Sequence, residues 1–395
     1  MDWHRLRKKS FKEKEMEKVQ SGTQNRSWKW RFMARAASIS LGMCMAFSVP
    51  TLAEGNLEDA VIQYEELEEL VRQGNADAVT DQNGYETSLA IYQEAYDTMV
   101  SGISDMNHRV DELEEAGAEE SVIAQYEQNA KVLSSSARQY RKAMESLNSV
   151  SSQRSRDQAV WTQVKAAQVL FGTCRQLEAQ AVAAEKNAEA SKAAFQKRQS
   201  EKAAGLCTEL EALQAEKTAA SAGISAQSMR DQADAARRKL AVFLGKGGTE
   251  IEVGEMPIIT AGQLEALNLE EDREKAVIAD SNVKSLRRST ASGDAERKLR
   301  SQKIDEARGS ASVAMDSLFQ ELQALMLERD GAVAAWEAAR KDYEALKIQR
   351  DSGAVSQGDF LAGEAVYAQK EAQKEAAEIA LCEAYEEYHW AMQGV

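Results

Sequence analysis

The chain has 395 residues, with 49 Lys and Arg against 64 Asp and Glu, a formal net charge of −15. Two prolines, 22 glycines and 6% aromatics exclude collagen, Pro-rich linkers and nearly any all-β fold, and leave too few rings for a large globular core. Charged residues at 29% exclude a multi-span membrane protein, and the acidic balance argues against nucleic acid and anionic lipid as partners.

Residues 1–35 carry eleven Lys and Arg and four Asp and Glu, a net of +7. Ala36 to Ala53 carries no charge, with an apolar centre from Ala36 to Phe47 and a small-residue end at Val49-Pro50-Thr51-Leu52-Ala53. A basic region, a short apolar region and an A-x-A-like end predict a secretory signal peptide, so residues 1–53 are expected to be removed by cleavage after Ala53. The apolar run is shorter than the ~20 residues of a membrane span. Met43 before Cys44 is a poor lipidation context, and Met16 or Met33 could serve as start. Taking +7 from −15 leaves −22 on the mature chain.

Helical seams follow. From Tyr85, steps of four and three land on Leu89, Tyr92, Tyr96, Met99, Ile103, Met106, Val110 and Leu113. A break at 114–118 contains Gly117, and the stepping restarts at Ile123, Tyr126, Ala130, Leu133, Ala137, Tyr140, Met144 and Leu147. It continues through Val160, Val164, Ala167, Phe171 and Cys174, and later through Leu318, Leu322, Leu325, Arg329, Ala332, Trp336, Ala339, Tyr343 and Leu346. A 3.5-residue spacing predicts coiled-coil-type seams. The frequent alanines allow close helix approach but bury little area each. The fold class expected is all-α, built of long antiparallel helical hairpins.

An internal repeat organises them. Gly205-Leu206-Cys207-Thr208-Glu209-Leu210-Glu211 lies above Gly353-Ala354-Val355-Ser356-Gln357-Gly358-Asp359 at a constant offset of 148. Each block follows one long helix and precedes another. The glycine suits positive φ just past a helix end. Thr208 or Ser356 can cap the next helix, with Glu211 or Asp359 at its N3 position. Two hairpins with matched tips are predicted, in repeats at 54–250 and 258–395 joined by a linker at 251–257.

These residues resemble the TolC family of outer-membrane efflux channel proteins. The resemblance rests on Leu57-Glu58-Asp59-Ala60 opening the first half, the two tips Gly205–Glu216 and Gly353–Glu364, and Val242-Phe243-Leu244-Gly245 closing the first half. It implies a homotrimer whose helices form a tunnel, docked by its tips to a periplasmic adaptor (membrane-fusion) protein that leads to a pump such as an ABC transporter. The docking residues it implies are Gly205, Leu206 and Thr208 on one tip and Gly353, Val355 and Ser356 on the other. It implies an outer-membrane location. The family's strands should lie between the first two long helices of each half. Here those places hold the Gly117 turn with a heptad helix, and Ser289–Lys298, neither with the alternating pattern of a membrane strand. The expected architecture is therefore the helical tunnel without an evident β-barrel, at the cell surface or elsewhere in the envelope.

Enzyme chemistry finds no footing. His4, His108 and His389 sit in no HExxH or Ser/His/Asp setting. Gly245–Thr249 lacks the order of a phosphate loop. Cys174, Cys207 and Cys382 form no CxxC or Cys/His cluster. No cofactor or metal is expected. Tyr385, Tyr388 and Trp390 are expected to pack at a helix end. The function expected is an efflux or export conduit; the alternative is an exported coiled-coil scaffold or cell-wall-associated interaction protein with no transport role.

Overall fold

The computed structural model describes residues 60–395. The basic region, the apolar run and the cleavage site after Ala53 lie outside the described residues. The described chain is almost wholly helical. It runs β1 (Ala60–Ile62), a 3₁₀ turn (Tyr64–Glu66), α1 (Leu67–Gly74), α2 (Ala76–Glu115), α3 (Glu120–Leu147), α4 (Val150–Ala203) and α5 (Glu209–Phe243). Then come β2 (Ile251–Val253), α6 (Ala261–Glu265), α7 (Leu269–Ala279), α8 (Ser281–Arg288), α9 (Asp294–Asp351) and α10 (Gln357–Gln393). At ~1.5 Å per residue, the 54 residues of α4 and the 58 of α9 are rods of about 80 to 90 Å.

Four of these rods form a layer in the order α5, α4, α10, α9. The α4–α5 seam is mostly alanine: Ala212, Ala222, Ala226 and Ala233 are buried along α5. On the other side α4 meets α10. Three ion pairs fix their direction: Lys186–Glu364 at 3.3 Å, Arg175–Glu375 at 2.6 Å and Lys165–Glu387 at 2.6 Å. Residue numbers fall on α4 as they rise on α10, so the two helices are antiparallel. The core lies at this junction, where Val164, Ala167, Phe171 and Cys174 of α4 join Leu381 and Cys382 of α10, Leu240 of α5, and Met315 and Leu322 of α9.

The aromatic end of α10 is buried. Tyr388 is inaccessible and its hydroxyl donates to Asp272 of α7 at 3.1 Å. Trp390 Nε1 donates to Gln168 of α4 at 2.8 Å. Both rings therefore pack at a helix end, as their interleaved glutamates suggest.

Helices α2 and α3 form a separate antiparallel hairpin, turned at Gly117 with φ 68°. It joins the layer at its base, where the Tyr85 hydroxyl bonds Asn148 at 2.6 Å and the Arg156 guanidinium lies 3.9 Å from the Tyr85 ring centre. All nine seam positions from Tyr85 to Leu113 are accessible only in part.

The stretch expected as a linker at 251–257 carries regular structure. Its first three residues are β2, which pairs parallel with β1 in the register Ala60–Ile251, Val61–Glu252 and Ile62–Val253. Ile62, Ile251 and Val253 are buried. Three residues are too few to show the period-2 alternation by which a strand is recognised.

Candidate functional site: two matched hairpin tips

The tips sit where α4 turns into α5 and where α9 turns into α10. Because α4 and α10 are antiparallel, both tips lie at the same end of the layer. Counting from the Lys186–Glu364 pair, the first tip reaches roughly eight residues further, ~12 Å.

Their backbones are copies of one design. At the first, Gly205 takes φ 73°, its N–H donates to Lys202 O at 3.0 Å, and Leu206 N–H donates to Glu201 O at 2.8 Å. At the second, Gly353 takes φ 75°, its N–H donates to Arg350 O at 2.9 Å, and Ala354 N–H donates to Gln349 O at 2.8 Å. This is the Schellman closure, which satisfies the last carbonyls of a helix and needs a left-handed residue. Every donor and acceptor is shifted by the same 148 residues. The next helix is capped in parallel fashion. Thr208 Oγ1 accepts from Glu211 N–H at 3.3 Å, and Ser356 Oγ accepts from Asp359 N–H at 3.2 Å. Glu211 returns the bond, accepting from Thr208 N–H at 2.7 Å. The Thr208 N–H and hydroxyl hold the Glu211 carboxyl below the usual carboxylate range.

Of the six residues expected at the tips, five are exposed and one, Val355, is not. Leu206 is 78% exposed and makes no seam contact. Gly205, Thr208, Gly353 and Ser356 are exposed too. Val355 is half-buried, and Ala354, the counterpart of Leu206, takes the exposed place. Alanine carries no sequence signal of its own, although the constant offset points to it. The tips also differ in backing. Behind the second stand Tyr343 and Tyr367, stacked at 5.1 Å, and Phe360, 5.6 Å from Tyr343 and covered by Arg350 at 4.1 Å. At the same offset Phe360 and Tyr367 correspond to Ala212 and Ala219 behind the first tip.

His108 is exposed, 3.5 Å from Glu112. His389 packs edge-on against Tyr385 at 4.4 Å, and burial lowers its pKa. Cys174 and Cys382 are buried, and desolvation pushes each thiol up to about 12. Among the described residues no cluster of His, Cys, Asp or Glu is placed to hold a metal, and no helix is long and apolar enough to cross a membrane. Gly245 turns at φ 71° beneath the Gly74 backbone, so the 245–249 stretch closes α5 rather than cradling a phosphate.

No family model matches the chain, and no curated protein matches it significantly. Solved structures with a similar arrangement include the Campylobacter jejuni CmeC outer membrane channel, at 11% identity and TM-score 0.40, covering 84% of this chain and 85% of that one. The outer membrane protein VceC of Vibrio cholerae is similar at 10% identity and TM-score 0.44, covering 84% and 96%. The open-state MtrE outer membrane channel of Neisseria gonorrhoeae is similar at 12% identity and TM-score 0.39, covering 84% and 89%. Likeness at this level carries no functional step.

Proposed function

We propose that the chain is an exported, TolC-like component of an efflux or export conduit. It self-associates into a helical tube and docks an adaptor protein through its hairpin tips. The observation that carries the reading is the duplicated tip. Two turns with the same closure and the same type of cap point the same way, and each presents an apolar side chain, Leu206 or Ala354, that no seam requires. Helix reversal accounts for the closure and the cap at each tip, but not for a leucine left exposed at the first. The mechanism is passive. The layer sets the spacing of the tips, the caps fix their backbone, and no bond is made or broken.

Leu206→Asp combined with Ala354→Asp tests docking. Both positions are exposed, so the folding cost should stay within about ±0.5 kcal/mol. Val355 is avoided because its burial would confuse docking with stability. Capture of a periplasmic adaptor (membrane-fusion) protein from the same host should be lost while the melting temperature and oligomer size hold. Unchanged capture would remove the docking role and favour the scaffold reading, in which the tips are helix reversals.

A further inference from the structure

We infer that the basic end of α8 and α9 is a docking surface for the acidic α2–α3 hairpin of a second copy of this chain. The inference rests on the self-association proposed above and names the contact that would carry it.

The basic surface surrounds a built groove. A cleft of about 570 Å³ opens between α7, α8 and α9, and its lining includes Val277, Arg273, Arg287 and Arg308. Arg273 is satisfied within the chain by Asp316 and Glu270, both within 3.0 Å. Arg287 and Arg308 make no ion pair among the described residues, and Glu274 is the remaining carboxylate in the lining. The charge continues past the groove. Lys284 to Lys303 holds seven Lys and Arg against two carboxylates. Of those two, Asp294 pairs with Arg297, and Glu296 accepts from the Ser292 N–H and hydroxyl.

The complementary surface lies on the same chain. From Asp105 to Glu127 the hairpin end holds eight carboxylates and one arginine, and that arginine, Arg109, is paired with Glu112 at 2.6 Å. Three of the carboxylates, Glu112, Glu114 and Glu115, fill the last turn of α2, which has no basic residue. That is the negative end of the helix dipole, where acidic side chains are unfavourable. Arg109 offsets Glu112, but Glu114 and Glu115 make no ion pair among the described residues, and a local rule left broken there points to a functional surface. Beyond its base, the hairpin's polar side-chain bonds stay within the hairpin, and among the described residues it makes no ion pair with α8 or α9. The acidic and basic surfaces are different patches, so the contact is head-to-tail and can close a ring of identical subunits. Like-charge repulsion at each patch rejects the wrong pairing.

Charge reversal in the full chain provides the test, read by sedimentation with helix content checked by circular dichroism. Asp111→Lys, Glu114→Lys and Glu115→Lys together reverse the hairpin end. They suit the dipole, so lost association cannot be blamed on a weakened helix. Arg287→Glu with Arg308→Glu reverses the groove. The wild-type oligomer should dissociate as salt rises from ~20 mM to ~500 mM. Each reversed protein should associate at least ten-fold more weakly at low salt, and combining both sets should restore association. An oligomer insensitive to salt and to both reversals would overturn this contact while leaving the tube and adaptor capture standing. Loss of phosphatidylglycerol-vesicle binding in Arg287→Glu with Arg308→Glu, with the oligomer unchanged, would assign the basic end to lipid and overturn it equally.

Discussion

Gly205, Gly245 and Gly353 share nearly the same backbone angle, φ 71° to 75°, but not the same surroundings. A Cβ at Gly205 or Gly353 would meet nothing within 4 Å, whereas one at Gly245 would run into the Gly74 carbonyl. Alanine at either tip therefore carries only the left-handed strain, ~1 kcal/mol. Alanine at Gly245 must also push apart the α1–α5 junction, which Asn75 ties by donating to Phe243 O at 3.0 Å while capping α2 with its other side-chain atom. Denaturant titration should show a loss of ~3 kcal/mol or more for Gly245→Ala; equal losses at all three sites would refute the close-approach argument. A second residue-scale prediction concerns acid. Glu383 lies over Gly172, whose absent side chain leaves room for Oε1, and burial raises the Glu383 carboxyl pKa. Burial also raises that of Glu386, against an opposing hydrogen bond from Gln168. A folded pKa above the unfolded value means the folded state binds more protons, so these groups lose stability as pH rises from the ordinary carboxylate range through the raised value. Glu383→Gln should raise the melting temperature at neutral pH, and the gain should shrink as pH falls toward the ordinary range. A gain independent of pH would point to packing instead.

At the scale of elements, the α2–α3 hairpin should be the weakest part of the described chain. Its seam is half-buried apart from Ala130 and Ala137, with Tyr92 and Tyr140 6.3 Å apart and tilted, and it meets the layer mainly at its base. Local opening free energy falls with buried contact, so hydrogen exchange should be faster along α2 and α3 than along α4 and α10. Tyr92→Ala should speed exchange in the hairpin, costing it about 1 to 2 kcal/mol for a half-buried ring, without changing protection in α10; equal acceleration in both would show that the hairpin unfolds with the layer. The hairpin was legible in sequence because one partner needs one seam, and one seam leaves a 3.5-residue trace. The α9 seam was legible for the same reason: every position from Leu318 to Leu346 is buried or half-buried. Helix α10 was not. It is gripped by α4, α9 and α7, so Ile379, Leu381, Cys382, Tyr388 and Trp390 are buried around much of its girth and no single step connects them. The tips were readable because glycine and a capping hydroxyl are required by turn geometry. The burial of Val355 depends on how the closed turn packs, which spacing does not encode.

For the whole molecule, the repeat in the sequence does not divide the core. The seam at its centre joins α4 from the first half to α10 from the second. Separating 54–257 from 258–395 would expose Phe171, Cys174 and Val164 on one side and Ile379, Leu381 and Cys382 on the other, all buried in the intact chain. Each large apolar side chain contributes ~1.5 to 3 kcal/mol on burial, and a domain's net stability is only about 5 to 15 kcal/mol. Losing one such face should leave neither half with a fixed core. The alanine seams that remain cannot make up the difference, since a methyl group buries little. Each half expressed alone should keep much of its far-ultraviolet helix signal but bind a hydrophobic dye and melt without a sharp transition. Mixing the halves should restore a cooperative melt as α10 returns to α4. A sharp melt from either half alone would show that the hairpins fold as independent bodies and that the α4–α10 seam joins two finished domains.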